Sequence, residues 1–276
     1  MEDTHVRDLI SSPDHPLVRS YRRLDGRAAR DRSRLAAIEG VRHVLLAEQG
    51  PNRIETLIVS PRLLRSREGR GAVARCEARG VTVARVTPEV FRQLSRAPRA
   101  SGVAAIVRQA WTPLEQLGAR GTGLWLAVRR LDSPGNLGTT LRSAWALGAE
   151  GLICLGRDTD PYDPAVLRAS MGAALQLQMT RTSLDRLARF ATRRDDWAVL
   201  GTSARASVSI DGAPRTRSLV VIVGNERKGL SPAERAICDA VVALPLARPG
   251  SLNAGVAASV LLYALAQPPS PANEVE

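Results

Sequence analysis

Apolar residues in the first part of the chain recur at helical spacing in some stretches and form short extended runs in others. Leu17, Tyr21 and Leu24 lie at helical intervals with arginines between them, which predicts a basic amphipathic helix followed by a basic loop. Short aliphatic and β-branched runs predict strands over residues 36–40, 54–59, 81–86 and 104–107, and helices over 41–48 and 72–79. This alternation predicts a small α/β domain over residues 1–110.

The second part of the chain repeats one arrangement three times: an apolar strand, a loop rich in small and polar residues, and a helix. Two further apolar strands lie between the repeats, which makes about five parallel strands with crossover helices. Such sheets bind ligands beyond the carboxyl ends of their strands, so we expect a functional site there. The predicted strands are 124–128, 152–155, 198–201, 219–223 and 241–244, and the predicted helices are 139–147, 231–238 and 252–265.

Composition sets the remaining boundaries and the expected compartment. Residues 111–121 show no clear period and are predicted to be a linker, residues 122–267 form the second domain, and residues 268–276 are predicted to be a disordered tail. No apolar run reaches the roughly 20 residues that a membrane span needs. The polar, acidic N-terminus is unlike a secretory signal. We therefore expect a cytoplasmic protein without a membrane partner.

The charge of the chain favours a nucleic-acid partner. It carries 39 basic and 27 acidic residues, a net charge of +12, and Lys228 is its single lysine. Residues 1–110 hold 21 arginines against 12 acidic residues, so most of the excess lies in the first domain. Arginine pairs with phosphate through two hydrogen bonds and stacks on bases, which favours nucleic-acid binding over a merely solvated surface.

Several common chemistries find no support in the sequence. The three cysteines lie far apart with no CxxC pair, which argues against a metal site and fits a reducing compartment. All three histidines lie before residue 44, so the second domain has no imidazole base. Neither a P-loop nor a G-x-G-x-x-G pattern is present. Methyl transfer from a sulfonium cofactor fits, because it depends on aligning the nucleophile, the methyl group and the leaving sulfur.

Three of the five asparagines fall in or beside the three strand-end loops. They are Asn136, Asn225 and Asn253. Asparagine hydrogen-bonds its own loop, so a single one would indicate only turn chemistry. Three in neighbouring loops point equally well to a shared site.

Segments of the second domain resemble the three motifs of the SpoU/TrmH RNA 2'-O-ribose methyltransferases. Residues 131–149 resemble motif 1, residues 223–230 resemble motif 2, and residues 244–253 resemble motif 3. Residues 168–172, which read RASMG, match a segment that the family carries between motifs 1 and 2. The order and spacing agree over residues 122–266, although Ala254-Gly255 replaces the usual Val-Ser after Asn253.

The first domain resembles, more weakly, the ribosomal-protein-L30e-like substrate-binding domain of the same enzymes. Residues 38–42 and 101–106 carry the likeness, which covers most of residues 12–108. The two resemblances together imply a parallel-sheet domain with a deep trefoil knot, S-adenosylmethionine as cofactor, and a homodimer with the active site near the dimer interface.

The resemblance also assigns roles to individual residues. It implies that Arg142 acts on the ribose 2'-hydroxyl, while Asn136, Glu226, Ser251 and Asn253 shape the site around it. Because arginine stays protonated, we expect Arg142 to stabilise the forming alkoxide and grip the adjacent phosphate. Glu226 could instead cap the helix that begins near Ser231. The residues implied to contact the cofactor are Thr202, Gly224, Leu244, Leu246 and Leu252.

RNA is the partner that the resemblance implies. Ribosomal RNA, most of all 23S, is favoured over transfer RNA, because an L30e-like domain is commoner in enzymes that act on ribosomal RNA. Self-protection of an antibiotic producer is an open role. A non-catalytic RNA-binding assembly factor is the alternative of another class, and the intact motif residues argue against it. The arginines expected to contact the RNA backbone are Arg19, Arg22, Arg23, Arg27 and Arg30, with Arg32 and Arg34 beside them.

Overall fold

The computed structural model describes residues 9–118, 123–204, 206–214, 216–248 and 250–266. Contacts divide the chain into two compact units. The first comprises the described residues up to Ala110 together with Tyr162–Gln176, and the second comprises Trp111–Pro161 and the described residues from Leu177 onward. The predicted tail, 268–276, lies outside the described residues.

Helices and strands alternate along both parts of the chain. Up to residue 118 they are α1 (Pro16–Arg23), α2 (Arg27–Ser33), β1 (Leu35–Glu39), α3 (Val41–Gln49), β2 (Ile54–Val59), α4 (Arg67–Ala78), β3 (Thr82–Arg85), α5 (Pro88–Leu94) and β4 (Val103–Arg108). From residue 123 onward they are β5 (Gly123–Val128), α6 (Pro134–Ala146), β6 (Gly151–Leu155), α7 (Pro164–Ala169), β7 (Gln178–Thr182), α8 (Leu184–Ala191), β8 (Trp197–Thr202), β9 (Val208–Ser209), β10 (Ser218–Val223), α9 (Pro232–Ala236), β11 (Ala240–Ala243) and α10 (Ala254–Ala266).

The described part of the first unit is built on four strands in the order β1-β4-β2-β3. β1 and β2 each pair antiparallel with β4, and β3 pairs parallel with β2. Val18 and Tyr21 of α1 are fully buried, and the Tyr21 hydroxyl donates to the carbonyl oxygen of Ile38 at 3.1 Å, which ties α1 to β1. The predicted strands and the amphipathic helix are confirmed. α4 begins five residues before the predicted start because Ser66 caps it, accepting from the N–H of Gly69.

The segment after α1 forms the helix α2 and not the predicted basic loop. Arg30 of this helix is 1% exposed. Its guanidinium donates to the carbonyl oxygens of Leu24 and Asp25 at 2.8 and 2.7 Å and to the Asp163 carboxylate at 3.1 Å. The prediction that Arg30 contacts RNA is therefore wrong, because this arginine is buried and its charge is used inside the first unit.

The described strands of the second unit form one sheet in the order β7-β6-β5-β10-β8-β11-β9, and all its pairs are parallel. The five predicted strands are confirmed as β5, β6, β8, β10 and β11. β7 and β9 form the two edges, and the sequence pattern predicts neither. β7 reads QMTRT and β9 has only two residues, so neither presents a run of apolar side chains.

Residues 111–118, predicted to belong to a linker, pack onto the second unit. Thr112 donates from its backbone N–H to the carbonyl oxygen of Met179 at 2.7 Å. Leu114 and Leu117 are buried in the same core cluster as Trp125. The segment looks irregular in sequence because only two apolar side chains anchor it; the rest of the predicted linker lies outside the described residues.

None of the described helices is both long and apolar enough to cross a membrane. A search of the same residues finds no group of three or more histidine, cysteine, aspartate or glutamate side chains that could hold a metal ion.

Candidate active site

A cavity of about 670 Å³ lies at the carboxyl ends of β8, β10 and β11, which are neighbours in the second sheet. The loops after these strands and the start of α10 form its walls. Ligand pockets typically measure ~300–1,000 Å³, so the cavity is large enough for a small cofactor. All five residues expected to contact the cofactor line it: Thr202, Gly224, Leu244, Leu246 and Leu252.

Gly224, directly after β10, allows the loop to fold back on itself. A Cβ atom at this position would lie 2.5 Å from the carbonyl carbon of Gly229 and 2.7 Å from the nitrogen of Leu230. The backbones of Asn225 and Gly229 exchange hydrogen bonds of 3.1 and 2.9 Å across the turn. Only glycine fits at residue 224 without moving the loop, so backbone atoms form this part of the cavity wall.

A chain of side-chain hydrogen bonds joins three segments beside the cavity. Asn253 donates from Nδ2 to Oδ1 of Asn136 at 3.0 Å, and Asn136 donates from Nδ2 to Oε1 of Glu226 at 2.9 Å. Oε2 of Glu226 accepts from the backbone N–H of Asp132 at 3.0 Å. Three of the residues expected in the site therefore lie in direct contact, although they are up to 117 positions apart in sequence.

Glu226 is held as a carboxylate. Partial burial acts to raise its pKa, but hydrogen bonds from Asn136 and from the backbone N–H of Asp132 outweigh burial and lower the pKa below the ordinary 4.5. The alternative role for Glu226, as a helix cap, is wrong. Ser231 caps α9, and Glu234 completes a capping box by accepting from the backbone N–H of Ser231 at 2.6 Å.

Arg142 lies on α6, which begins five residues before its predicted start. Ser133 caps the helix by accepting from the N–H of Asn136, so Asn136 lies in the first turn and Arg142 roughly two turns further along. Arg142 is exposed, and the described residues offer it no hydrogen-bond or ion-pair partner. It does not line the cavity, whereas Ser251 does. The Arg142 guanidinium is thus exposed on α6 and not engaged by the described residues.

Gly255 accounts for one departure from the family motif. Its backbone N–H donates to Oδ1 of Asn253 at 2.9 Å. A Cβ atom here would lie 3.1 Å from the carbonyl oxygen of Asn136, which is tighter than an ordinary contact. The start of α10 thus lies in close contact with α6, where Asn253 and Asn136 bond.

Two further residues of this network are absent from the sequence-based set. Asn225 donates from Nδ2 to Oδ2 of Asp132 at 3.2 Å and to Oε2 of Glu226 at 3.3 Å. The hydrogen bond from Asn225 is the main cause that lowers the pKa of Asp132. Asn225 is one of the three strand-end asparagines, and Asp132 lies within the segment that resembles motif 1, but the resemblance assigns neither of them a role. The cavity is also lined by the cations Arg227, Lys228 and Arg235.

Comparison with known proteins decides the family. Residues 123–263 match the model of the SpoU rRNA Methylase family, and residues 15–105 match that of the MRM3-like substrate binding domain. The chain belongs to the SpoU rRNA methylase family.

Relatives of this SpoU chain resemble it over both units. The 23S rRNA (uridine(2479)-2'-O)-methyltransferase of Streptomyces viridochromogenes is 30% identical over 247 residues, 87% of this chain and 85% of its own length. The AdoMet-bound rRNA methyltransferase from Sinorhizobium meliloti superposes with a TM-score of 0.82 at 28% identity, covering 94% of this chain and 97% of that one. The SpoU methyltransferase AviRb from S. viridochromogenes, solved with AdoMet, gives 0.78 at 30% identity, covering 90% and 96%.

The arginines expected to contact RNA lie in the part of this SpoU chain that matches the substrate binding domain. Arg19 and Arg23 are exposed on α1. Arg22 donates to the carbonyl and side-chain oxygens of Gln93 at 3.3 and 3.2 Å. Arg27 pairs with Asp31 at 3.5 Å. With Arg30 excluded by burial, these four remain candidates for backbone contact.

Proposed function

We propose that this protein transfers a methyl group from S-adenosylmethionine to a ribose 2'-hydroxyl of ribosomal RNA, with 23S RNA as the favoured substrate. The observation that carries the proposal is the hydrogen-bonded chain Asn253–Asn136–Glu226 beside a cavity of cofactor size, in a SpoU family chain. Asn136 shares α6 with Arg142, an exposed arginine that has no partner among the described residues. The 23S-specific name of a relative 30% identical over 87% of this chain supports the choice of RNA.

The cavity fits S-adenosylmethionine. Its walls combine leucine side chains with the backbone of the loop that Gly224 turns, and cations stand at its edge. Leu244, Leu246 and Leu252 would hold the apolar parts of the cofactor, and the loop backbone would bond its polar edges. The cofactor supplies a methyl group on a positively charged sulfur.

The residues of the chain supply position and charge. A ribose hydroxyl is a poor nucleophile at neutral pH and must lose its proton during attack. Arg142, fixed on α6, lowers the energy of the oxygen as negative charge develops on it and pairs with the neighbouring phosphate. Glu226 has a lowered pKa and both its oxygens accept hydrogen bonds, so its role is to orient Asn136.

The active assembly is proposed to be a homodimer formed by a second copy of this chain. Val256, Val260 and Tyr263 lie on one face of α10 and are 45%, 42% and 57% exposed, and Trp145 of α6 is 39% exposed. An apolar stripe of this kind on two packed helices is typical of an interface between subunits. The knot in the second unit and the cytoplasmic location stay predictions, as does a role in protecting an antibiotic producer's ribosomes.

The test distinguishes methylation of ribosomal RNA from two alternatives: methylation of transfer RNA and a non-catalytic RNA-binding role. The purified protein is given radiolabelled S-adenosylmethionine with unmodified 23S ribosomal RNA or bulk transfer RNA, and label is mapped by resistance to alkaline cleavage. Label at one alkali-resistant linkage of 23S RNA is the expected result. Label in transfer RNA would change the substrate, and cofactor binding without transfer to either RNA would favour the assembly factor.

Replacing Arg142 by alanine tests the site. Single-turnover methyl transfer is expected to fall at least about 100-fold, the loss typical of removing one group that stabilises developing charge. Cofactor affinity stays near wild type, because Arg142 does not line the cavity. Arg189→Ala, which removes an exposed helical arginine of the same unit, is the control. Wild-type transfer rates in Arg142→Ala would contradict the assignment.

A further inference from the structure

A second cavity, of about 260 Å³, lies within the first unit. β1 and the first turn of α3 form one side, the loop 96–101 a second, and α7 a third. Its floor includes Ala37, Ile38 and Leu167, which are at most 2% exposed. Its lining contains three arginines: Arg42, Arg96 and Arg168.

Two of these arginines have guanidinium nitrogens that no described residue engages. Arg42 donates from Nε to the carbonyl oxygen of Met171 at 2.9 Å, and no partner among the described residues engages its terminal nitrogens. Arg168 is exposed and has no partner within the same residues. Arg96 differs, because it pairs with Asp25 and lies over the Tyr21 ring at 5.4 Å.

The other ionisable groups of the cavity offset only part of this charge, because its lining contains one acidic residue, Glu39, beside three arginines. The Glu39 carboxylate accepts hydrogen bonds from the Ser95 hydroxyl and, at 2.8 Å, from the backbone N–H of Arg96. His43 has Nε2 at 3.1 Å from the carbonyl oxygen of Leu167, so Nε2 carries the proton. Burial lowers the pKa of His43, which leaves the ring neutral near pH 7.

The RASMG segment, residues 168–172, is fixed in place on this cavity. Met171 has φ of 54°, a left-handed conformation that a non-glycine residue seldom adopts, and Gly172 has φ of 84°. A Cβ atom on Gly172 would lie 2.7 Å from Cδ1 of Leu46 on α3. The turn therefore packs tightly against α3, and it holds the Met171 carbonyl where Arg42 bonds it. Strained backbone that is held so firmly is typical of functional sites.

We propose that this cavity binds one unpaired nucleotide of the substrate RNA, with its phosphate between Arg42 and Arg168 and its base on the apolar floor. Proteins read RNA mainly through unstacked bases that enter such pockets, and arginine provides both phosphate pairing and a stacking surface. The inference rests on the proposed function for its partner, and it gives the RASMG segment a role in RNA recognition separate from methyl transfer.

The test measures RNA binding and not only catalysis. The full-length protein is titrated with unmodified 23S ribosomal RNA at several salt concentrations. Arg42→Gln/Arg168→Gln is expected to bind at least about tenfold more weakly, and the slope of log affinity against log salt should flatten by about 0.7, the value for one lost phosphate contact on single-stranded RNA. The control is Arg65→Gln/Arg67→Gln, which removes the same charge from exposed positions of the same unit outside the cavity.

A cross-linking arm locates the contact. RNA containing 4-thiouridine is irradiated with the wild-type protein, and the linked peptides are identified by mass spectrometry. Cross-links to residues 38–43 or 164–171 support the proposal. The single variant Arg168→Gln separates lost binding from misfolding, because the Arg168 side chain makes no hydrogen bond to the described residues. Its unfolding midpoint should equal that of wild type, while its RNA affinity should still be lower.

Two results would overturn the inference: the cavity variants bind like the control pair, or the cross-links all lie elsewhere. Either can occur while methyl transfer and cofactor binding persist, which would leave the proposed function standing. Conversely, cross-links in the cavity without any methyl transfer would contradict the proposed function and still support RNA binding at this cavity.

Discussion

Two arginines show how one residue type serves opposite purposes in this chain. Arg30 is buried and makes three hydrogen bonds that hold α2, whereas Arg142 is exposed and unpaired among the described residues. Both lie in arginine-containing helices, and charge alone does not distinguish them. Burial of a guanidinium requires nearby acceptors, and the carbonyl oxygens of Leu24 and Asp25 supply them from the turn that precedes α2.

The main effect of replacing Arg30 by alanine should therefore be a lower free energy of unfolding, not merely weaker RNA binding. The change leaves two carbonyl oxygens and the Asp163 carboxylate without their donor, and we expect the free energy of unfolding to fall by about 2–3 kcal/mol. Urea denaturation of the variant measures this loss. Arg19→Ala, at an exposed position of α1, should change it by less than ~0.5 kcal/mol. Equal midpoints for the two variants would contradict the structural role of Arg30.

Glu226 gives the site a dependence on pH. Its pKa in the folded state lies below the ordinary value of 4.5, so the carboxylate stabilises the fold above that pH and the contribution is lost as pH falls through the folded-state pKa. We expect wild type to melt about 1–2 °C above Glu226→Gln at pH 7, a gap worth roughly 0.5 kcal/mol at this exposed site that closes below pH 4.5. Asp195→Asn, an exposed carboxylate of the same unit, should show no such convergence.

At the scale of elements, the conformation of the loop after β10 depends on Gly224 having no side chain. Gly224→Ala would place a methyl group 2.5–2.9 Å from three backbone atoms of Gly229 and Leu230, none of which can rotate away. The loop must open, which we expect to cost about 1–3 kcal/mol of stability and at least tenfold in cofactor affinity. Calorimetric titration with S-adenosylmethionine checks the affinity.

A second glycine gives the matched comparison. Gly212→Ala adds the same methyl group in the same unit, where its nearest neighbour would be Cγ1 of Val208 at an ordinary 3.4 Å. This variant should bind the cofactor as wild type does. If Gly224→Ala matches it in both stability and affinity, the loop backbone does not form the cofactor wall.

At the scale of the whole molecule, the apolar face of α10 predicts the oligomeric state. Val260→Glu/Tyr263→Glu places two charges on that face, so we expect the sedimenting species to change from dimer to monomer and methyl transfer to fall with it. Leu9→Glu, which charges another exposed apolar residue, should leave the dimer intact. A wild-type protein that sediments as a monomer would refute the interface outright.

Sequence reasoning finds the strands and the site loops of this molecule, and it fails where contacts between distant residues decide the outcome. Apolar runs such as 219–223 stand out because both faces of a parallel strand are buried. Asn136 and Asn253 are marked by position and motif, but their bond joins residues 117 positions apart, which only the packing of α10 against α6 brings together. Asp132 lies within the motif 1 segment, but its role is not predictable from sequence, because it depends on a backbone N–H that reaches Glu226 and a carboxylate that accepts from Asn225.

The discontinuity of the first unit sets the order of events during synthesis on the ribosome. This unit needs α7 and the turn at residues 170–172, which follow β5, α6 and β6 of the second unit along the chain. When residue 110 has just left the ribosome, the nascent chain contains all four strands of the first unit's sheet but lacks α7, which forms one side of the 260 Å³ cavity. The first unit, with the cavity proposed to bind a nucleotide, is thus complete only when residue 176 has emerged, before most residues of the cofactor cavity have been translated.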